Sequence, residues 1–129
     1  VQFPELVLAY SEGQIGWMPF LLEKLDGVWH DRATYGNIDT LPKPPSEYMP
    51  QLYGCVFDDQ IGLELRDRIG IDQIMFEVDY PHGDSTWPNT LATVERLVTA
   101  AGLSDDEIHA VVRGNAIRCY GLDRYGITP

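Results

Sequence analysis

Apolar residues fall along this chain in two kinds of pattern, and their alternation predicts its architecture. Leu6-Val7-Leu8-Ala9 is a short uninterrupted apolar run, the form of a buried strand. After a glycine-containing loop, Met18, Leu21, Leu22, Leu25, Val28 and Trp29 recur three or four residues apart, on one face of an amphipathic helix. Pro19 suits that helix only in its first turn, where a missing N–H has no intrahelical partner to lose. A polar connection carrying Pro42, Pro44 and Pro45 runs from Thr40 to Pro50, too long and too stiff for a minimal turn. Tyr53-Gly54-Cys55-Val56-Phe57 reads as a second strand. Asp58 and Asp59 then stand where a helix N-terminus favours negative charge, Ile61, Leu65 and Ile69 mark its buried face, and Gly70 ends it. Ile74 to Val78 reads as a third strand, followed by a loop from Asp79 to Trp87. Pro88 is placed to open the next helix, with Leu91, Val94, Val98 and Ala101 inward. Ser104-Asp105-Asp106-Glu107 has capping-box form and starts a further helix with Ile108, Val111 and Val112 inward. Gly114-Asn115 is expected to interrupt it before a last helical piece from Ala116 to Tyr120.

Apolar strands alternating with helices are the mark of a parallel sheet covered on both faces, hence an α/β fold. Three strands leave two outer edges beside apolar side chains. The pattern therefore fits either a small three-layer domain or a segment of a larger barrel. The whole span 1–129 reads as one unit. It opens at Val1, without Met, directly into strand-like sequence, so an upstream segment is expected.

Composition narrows the function. With 44% hydrophobic and 22% charged residues the chain is globular, and it has no run of the ~18 apolar residues a membrane span needs. Twenty acidic against nine basic residues give a net charge of −11, a field that repels nucleic acid and anionic lipid. Cys55 and Cys119 form no CxxC pattern or disulfide framework, which points to a reducing, cytoplasmic setting.

In parallel α/β sheets, functional groups gather beyond the C-terminal ends of the strands. Glu12 is such a strand-end carboxylate. The loop from Asp79 to Pro88 is the densest, with two carboxylates, an imidazole, two hydroxyls and two aromatic rings. Asp79 should emerge at a strand tip, either as a metal ligand or proton-transfer group, or as a loop cap bonding backbone N–H groups. His82 suits a ligand, an acid–base group, an orienter or a loop-packing residue. The spacing Asp79-x-x-His82-x-Asp84 permits a local metal site. Asp58-Asp59 reads as a capping pair, Tyr80 and Trp87 as loop-packing rings, and His30 and His109 as solvated. There is no GxGxxG, P-loop, GxSxG or HExxH motif.

The loop DYPHGDSTWP at Asp79 to Pro88 resembles the signature after the last barrel strand of the amidohydrolase-related family, which includes aminocarboxymuconate semialdehyde decarboxylase and resorcylate-type decarboxylases. The likeness extends to EGQIGWMPFLLEKLD (Glu12 to Asp26), PPSEYMPQLYGCVFDD (Pro44 to Asp59), GIDQIMFEVDYPH (Gly70 to His82) and GNAIRCYGL (Gly114 to Leu122), in order along the chain. It implies the C-terminal part of a (β/α)8 TIM-like barrel, about strands 6 to 8 with their helices. It also implies a divalent metal, zinc or manganese, in the complete enzyme, and hydrolysis or non-oxidative decarboxylation of a small organic substrate. Asp79 matches the aspartate that binds or faces the metal. Glu12 falls near where decarboxylase members place a histidine, a departure from their pattern, and His82 belongs to the motif. Asp79, His82 and Glu12 are thus the candidate catalytic residues, with Asp79 the metal ligand. The family's HxH pair and its histidine after the fifth strand have no counterpart here, and a full barrel takes ~250 residues. The isolated chain is accordingly expected to be inactive, to hold metal weakly, and to pair its sheet edges in a homo-oligomer. The competing expectation is a self-standing α/β module for binding or assembly.

Overall fold

The computed structural model describes residues 3–31 and 41–128; Thr40, where the proline-rich connection was expected to begin, lies outside them. Three strands, β1 (Leu8–Tyr10), β2 (Leu52–Val56) and β3 (Ile74–Phe76), form one parallel sheet in the order β1-β2-β3. Leu8 pairs with Leu52, and Gly54 with both Tyr10 and Ile74. The β2–β3 ladder runs one residue further through Glu77 N–H, which donates to Val56 O at 3.0 Å. Between the strands lie α1 (Met18–His30), a 3₁₀ turn (Pro45–Gln51), and two short helices, α2 (Gln60–Glu64) and α3 (Arg66–Ile69). After β3 come α4 (Thr90–Ala100), α5 (Asp105–His109), a π-helical turn (Ala110–Gly114) and α6 (Asn115–Tyr120).

The main core gathers Ile15, Met18, Met49, Val56, Leu63, Ile69, Ile74, Leu97 and Val111. Strand alternation puts Cys55 and Met75 on the other face from Val56 and Ile74, and they too are buried. Both faces of β2 and β3 are therefore covered. Pro19 sits in the first turn of α1, as its chemistry requires. Asn115, fully buried, donates through Nδ2 to Ile71 O at 2.7 Å and Ile74 O at 2.6 Å, tying α6 to the start of β3.

Several expected elements shift. The first apolar run is not a buried strand: β1 starts at Leu8, and all three of its residues are exposed, because β1 pairs with β2 on one side only. The second strand begins and ends one residue earlier than its apolar run, and the third stops at Phe76. The helix expected from Ile61 to Ile69 is broken at Leu65 into α2 and α3; α2 buries Gly62 and Leu63 instead, and Ile61 is 63% exposed. Pro88 precedes α4 without opening it; Asn89 is the N-cap, and Leu91 on the first turn is 72% exposed. Leu21, Leu25 and Val112 are likewise exposed where an inward face was expected. Gly114-Asn115 does not interrupt the last helical stretch, since the π turn carries helical backbone from α5 into α6.

Candidate metal centre

Three loops leave the C-terminal edge of the sheet, and each is held by another. Beyond β1 the chain turns sharply through Glu12 (φ 62°) and Gln14 (φ 56°), both left-handed without being glycine. Asp59 at the N-terminus of α2 holds this turn in place. Its Oδ2 accepts Ile15 N–H at 2.9 Å and Gly16 N–H at 2.6 Å, while its Oδ1 caps α2 by accepting Gly62 N–H at 2.8 Å. Asp59 is thus the expected cap and also the bolt between two loops. Asp58 instead reaches Arg96 on α4, at 2.6 Å. Gln14 Oε1 accepts Phe57 N–H at 3.3 Å, and Trp17 Nε1 donates back to Gly13 O at 2.7 Å.

Beyond β3, Asp79 is the third left-handed non-glycine residue (φ 57°). Its turn closes through His82 N–H to Asp79 O at 2.9 Å, and Ser85 Oγ and Thr86 N–H both donate to Val78 O. The Asp79 carboxylate does not cap this loop. Its side chain is only 8% exposed, and its Oδ1 faces His82 Nδ1 at 2.8 Å. Glu12 Oε1 approaches the same nitrogen at 3.8 Å, with both Glu12 and His82 side chains 58% exposed. The hydrogen bond that Asp79 accepts, then its charge and that of Glu12, push the His82 imidazole above its ordinary pKa.

Glu12, Asp79 and His82 each offer one ligand atom, and these atoms lie within 4.8 Å of one another. Two carboxylate oxygens and an imidazole are a donor set that suits zinc or manganese. The residues present therefore fit a divalent cation. All three residues singled out in the sequence converge, although 67 positions of chain separate Glu12 from Asp79. Asp84 stands outside the trio and reaches His82 only through its charge. Tyr80 and Trp87 pack edge to face, centroids 5.8 Å apart, as loop-packing rings would.

Sequence reasoning missed Glu77. Its Oε1 accepts Glu12 N–H at 2.6 Å. Beneath it, Cys55 receives a hydrogen bond from Ser11 Oγ at 3.9 Å, and burial together with the Glu77 charge pushes the Cys55 thiol up to about 11. A carboxylate inside the apolar run IMFEV was the available signal.

A parallel sheet with its polar groups beyond the strand C-termini belongs to the barrel and doubly wound α/β class. The amidohydrolase family model matches residues 1–122, and the chain belongs to that family. Among solved structures, it is similar to an amidohydrolase, map2389c, from Mycobacterium avium subsp. paratuberculosis K-10. There the TM-score is 0.69 at 24% identity, covering 92% of this chain and 29% of the other. It is also similar to 5-carboxyvanillate decarboxylase LigW from Sphingomonas paucimobilis, with TM-score 0.64 at 23% identity, covering 81% of this chain and 31% of the other. The chain thus spans about three-tenths of the length of these structures, and its fold is that of a (β/α)8 barrel segment. No curated protein matches it. Among the described residues no helix is long and apolar enough to cross a membrane.

Proposed function

We propose that this chain is the C-terminal part of a metal-dependent amidohydrolase-type enzyme acting by hydrolysis or non-oxidative decarboxylation on a small organic molecule. The observation that carries the reading is the convergence of Glu12, Asp79 and His82 beyond the strand C-termini, in a chain that belongs to this family. Asp79 would hold a zinc or manganese ion, with Glu12 and His82 beside it. Such an ion supplies Lewis-acid polarisation of a substrate carbonyl or carboxylate. Asp79, mostly shielded from water, holds His82 by its Nδ1 and leaves the exposed imidazole edge to carry a proton to or from substrate. Glu12, from another strand, adds a second carboxylate facing the same ring. The exposure of Glu12 and His82 leaves the site open to solvent, so this chain alone is read as inactive and as a weak metal binder. The free thiols Cys55 and Cys119 support a reducing, cytoplasmic setting, and the exposed β1 edge supports a homo-oligomer.

The test is the coding DNA and the protein it specifies. An in-frame upstream segment with an HxH after an apolar strand is expected. The longer protein should carry zinc or manganese, and Asp79→Asn should keep the fold while lowering metal-dependent turnover by orders of magnitude. Absence of that upstream segment, or near-normal turnover in the variant, overturns the reading.

A further inference from the structure

The geometry points to Glu77 as the positioning residue of the trio: a side-chain clamp just beyond β3 that holds the Glu12 backbone in place beside Asp79. The inference rests on reading the trio as a metal centre, but the clamp itself is a local structural fact with its own test. Glu77 lies one residue beyond β3 and two before Asp79, and its own N–H continues the sheet ladder through Val56 O at 3.0 Å. Its position along the strand is therefore set by the sheet. From there Oε1 crosses to the loop after β1 and accepts Glu12 N–H at 2.6 Å. One short stretch just beyond β3 thus supplies one carboxylate of the trio directly, through Asp79, and locates the other through Glu77.

The clamp answers a specific need. Glu12 has φ 62°, a conformation that disfavours any residue with a Cβ. Such backbone persists only where surrounding bonds hold it. Asp59 secures Ile15 and Gly16, and Gln14 ties to Phe57, yet these anchors lie further along the turn. The bond holding the amide of Glu12 comes from Glu77. A charge-assisted hydrogen bond to a backbone N–H is among the stronger ones available. Without it Glu12 can relax from the left-handed region and carry its carboxylate away from His82.

Amide hydrogen exchange at Glu12, followed by NMR on the ¹⁵N-labelled chain, tests the clamp directly. Mn²⁺ titration, read from paramagnetic broadening of amides at residues 79 to 82, tests its consequence. Glu77→Ala should speed Glu12 exchange about 10-fold or more and weaken Mn²⁺ binding by a similar factor. Glu77→Gln keeps an acceptor oxygen and should hold both within about 3-fold of the parent. Circular dichroism of both variants confirms that each is folded, and Glu77→Gln serves as the test if Glu77→Ala is not. Equal loss of Mn²⁺ affinity in both variants, with Glu12 exchange unchanged in Glu77→Gln, would make Glu77 a source of charge and overturn the clamp. So would unchanged Glu12 exchange in Glu77→Ala. If the parent chain shows no Mn²⁺ broadening at all, the metal reading fails, while Glu12 exchange still decides the clamp.

Discussion

Among the described residues, Glu12, Gln14 and Asp79 are the non-glycine residues held in the left-handed region, and two of them are the carboxylates of the trio. Such backbone stores of order 1–3 kcal/mol per residue and gathers at functional sites. Asp79 could be picked out from sequence because it follows an apolar run directly, at a strand tip. Glu77 stood in the same run, but its target is 65 positions away, and no local pattern encodes that pairing. Elsewhere, Asn115 takes up two backbone carbonyls with one amide group, so Asn115→Ala should destabilise the chain by about 3 kcal/mol, measured by urea denaturation. Cys55 makes a pH prediction. Its thiol titrates near 11 when folded and at 9.0 ordinarily, so the unfolded chain loses that proton first. Its contribution to stability is complete below about pH 9 and falls as pH rises from there toward about 11. Denaturation midpoints of the parent should decline across that window, and those of Cys55→Ala should decline less.

At the level of elements, local chemistry predicts best where it is self-contained. Ser104 and Glu107 form the expected capping box, with Ser104 Oγ accepting Glu107 N–H and Glu107 Oε2 accepting Ser104 N–H. Arg66 on α3 adds a bond to Glu107 Oε1 at 2.6 Å, and these bonds hold the Glu107 carboxyl down at about 2. Ser104→Ala should cost about 1 kcal/mol. Because the folded value lies below the ordinary 4.5, this carboxylate's contribution is complete above about pH 4.5 and is lost as pH falls toward 2. Acid titration should therefore show a transition in that range that Glu107→Gln flattens. The split of α2 from α3 was not legible, because the apolar spacing of Ile61, Leu65 and Ile69 is equally that of one helix. Within α2, close approach sets a different constraint: a Cβ on Gly62 would clash with Ile15 Cγ1 and lie 2.5 Å from Asp59 Oδ2. Gly62→Ala should accordingly destabilise the chain and loosen the turn after β1, seen as faster amide exchange at Ile15 and Gly16.

For the molecule as a whole, strand β1 and the residues leading into it leave Leu6, Val7, Leu8 and Tyr10 exposed. Unpaired strand edges beside apolar side chains invite pairing with another chain. The charge of −11 opposes this, but it is screened over ~8 Å at physiological salt, while edge pairing acts at contact. Sedimentation equilibrium should show a dimer or larger species, tightening as salt rises; a monomer at high micromolar concentration would refute this. The alternation of apolar strands with amphipathic helices, together with the capping residues, determined by itself that the chain is parallel α/β, since period and end chemistry are local properties. The same residues placed Asp79, Glu12 and His82 at strand ends. Only the tertiary structure decided which apolar residues face inward, as Ile61 and Leu91 show by facing out. It alone brought Glu12 to Asp79 and Glu77 to Glu12, because parallel strands must be joined by long crossovers that no local periodicity can see across.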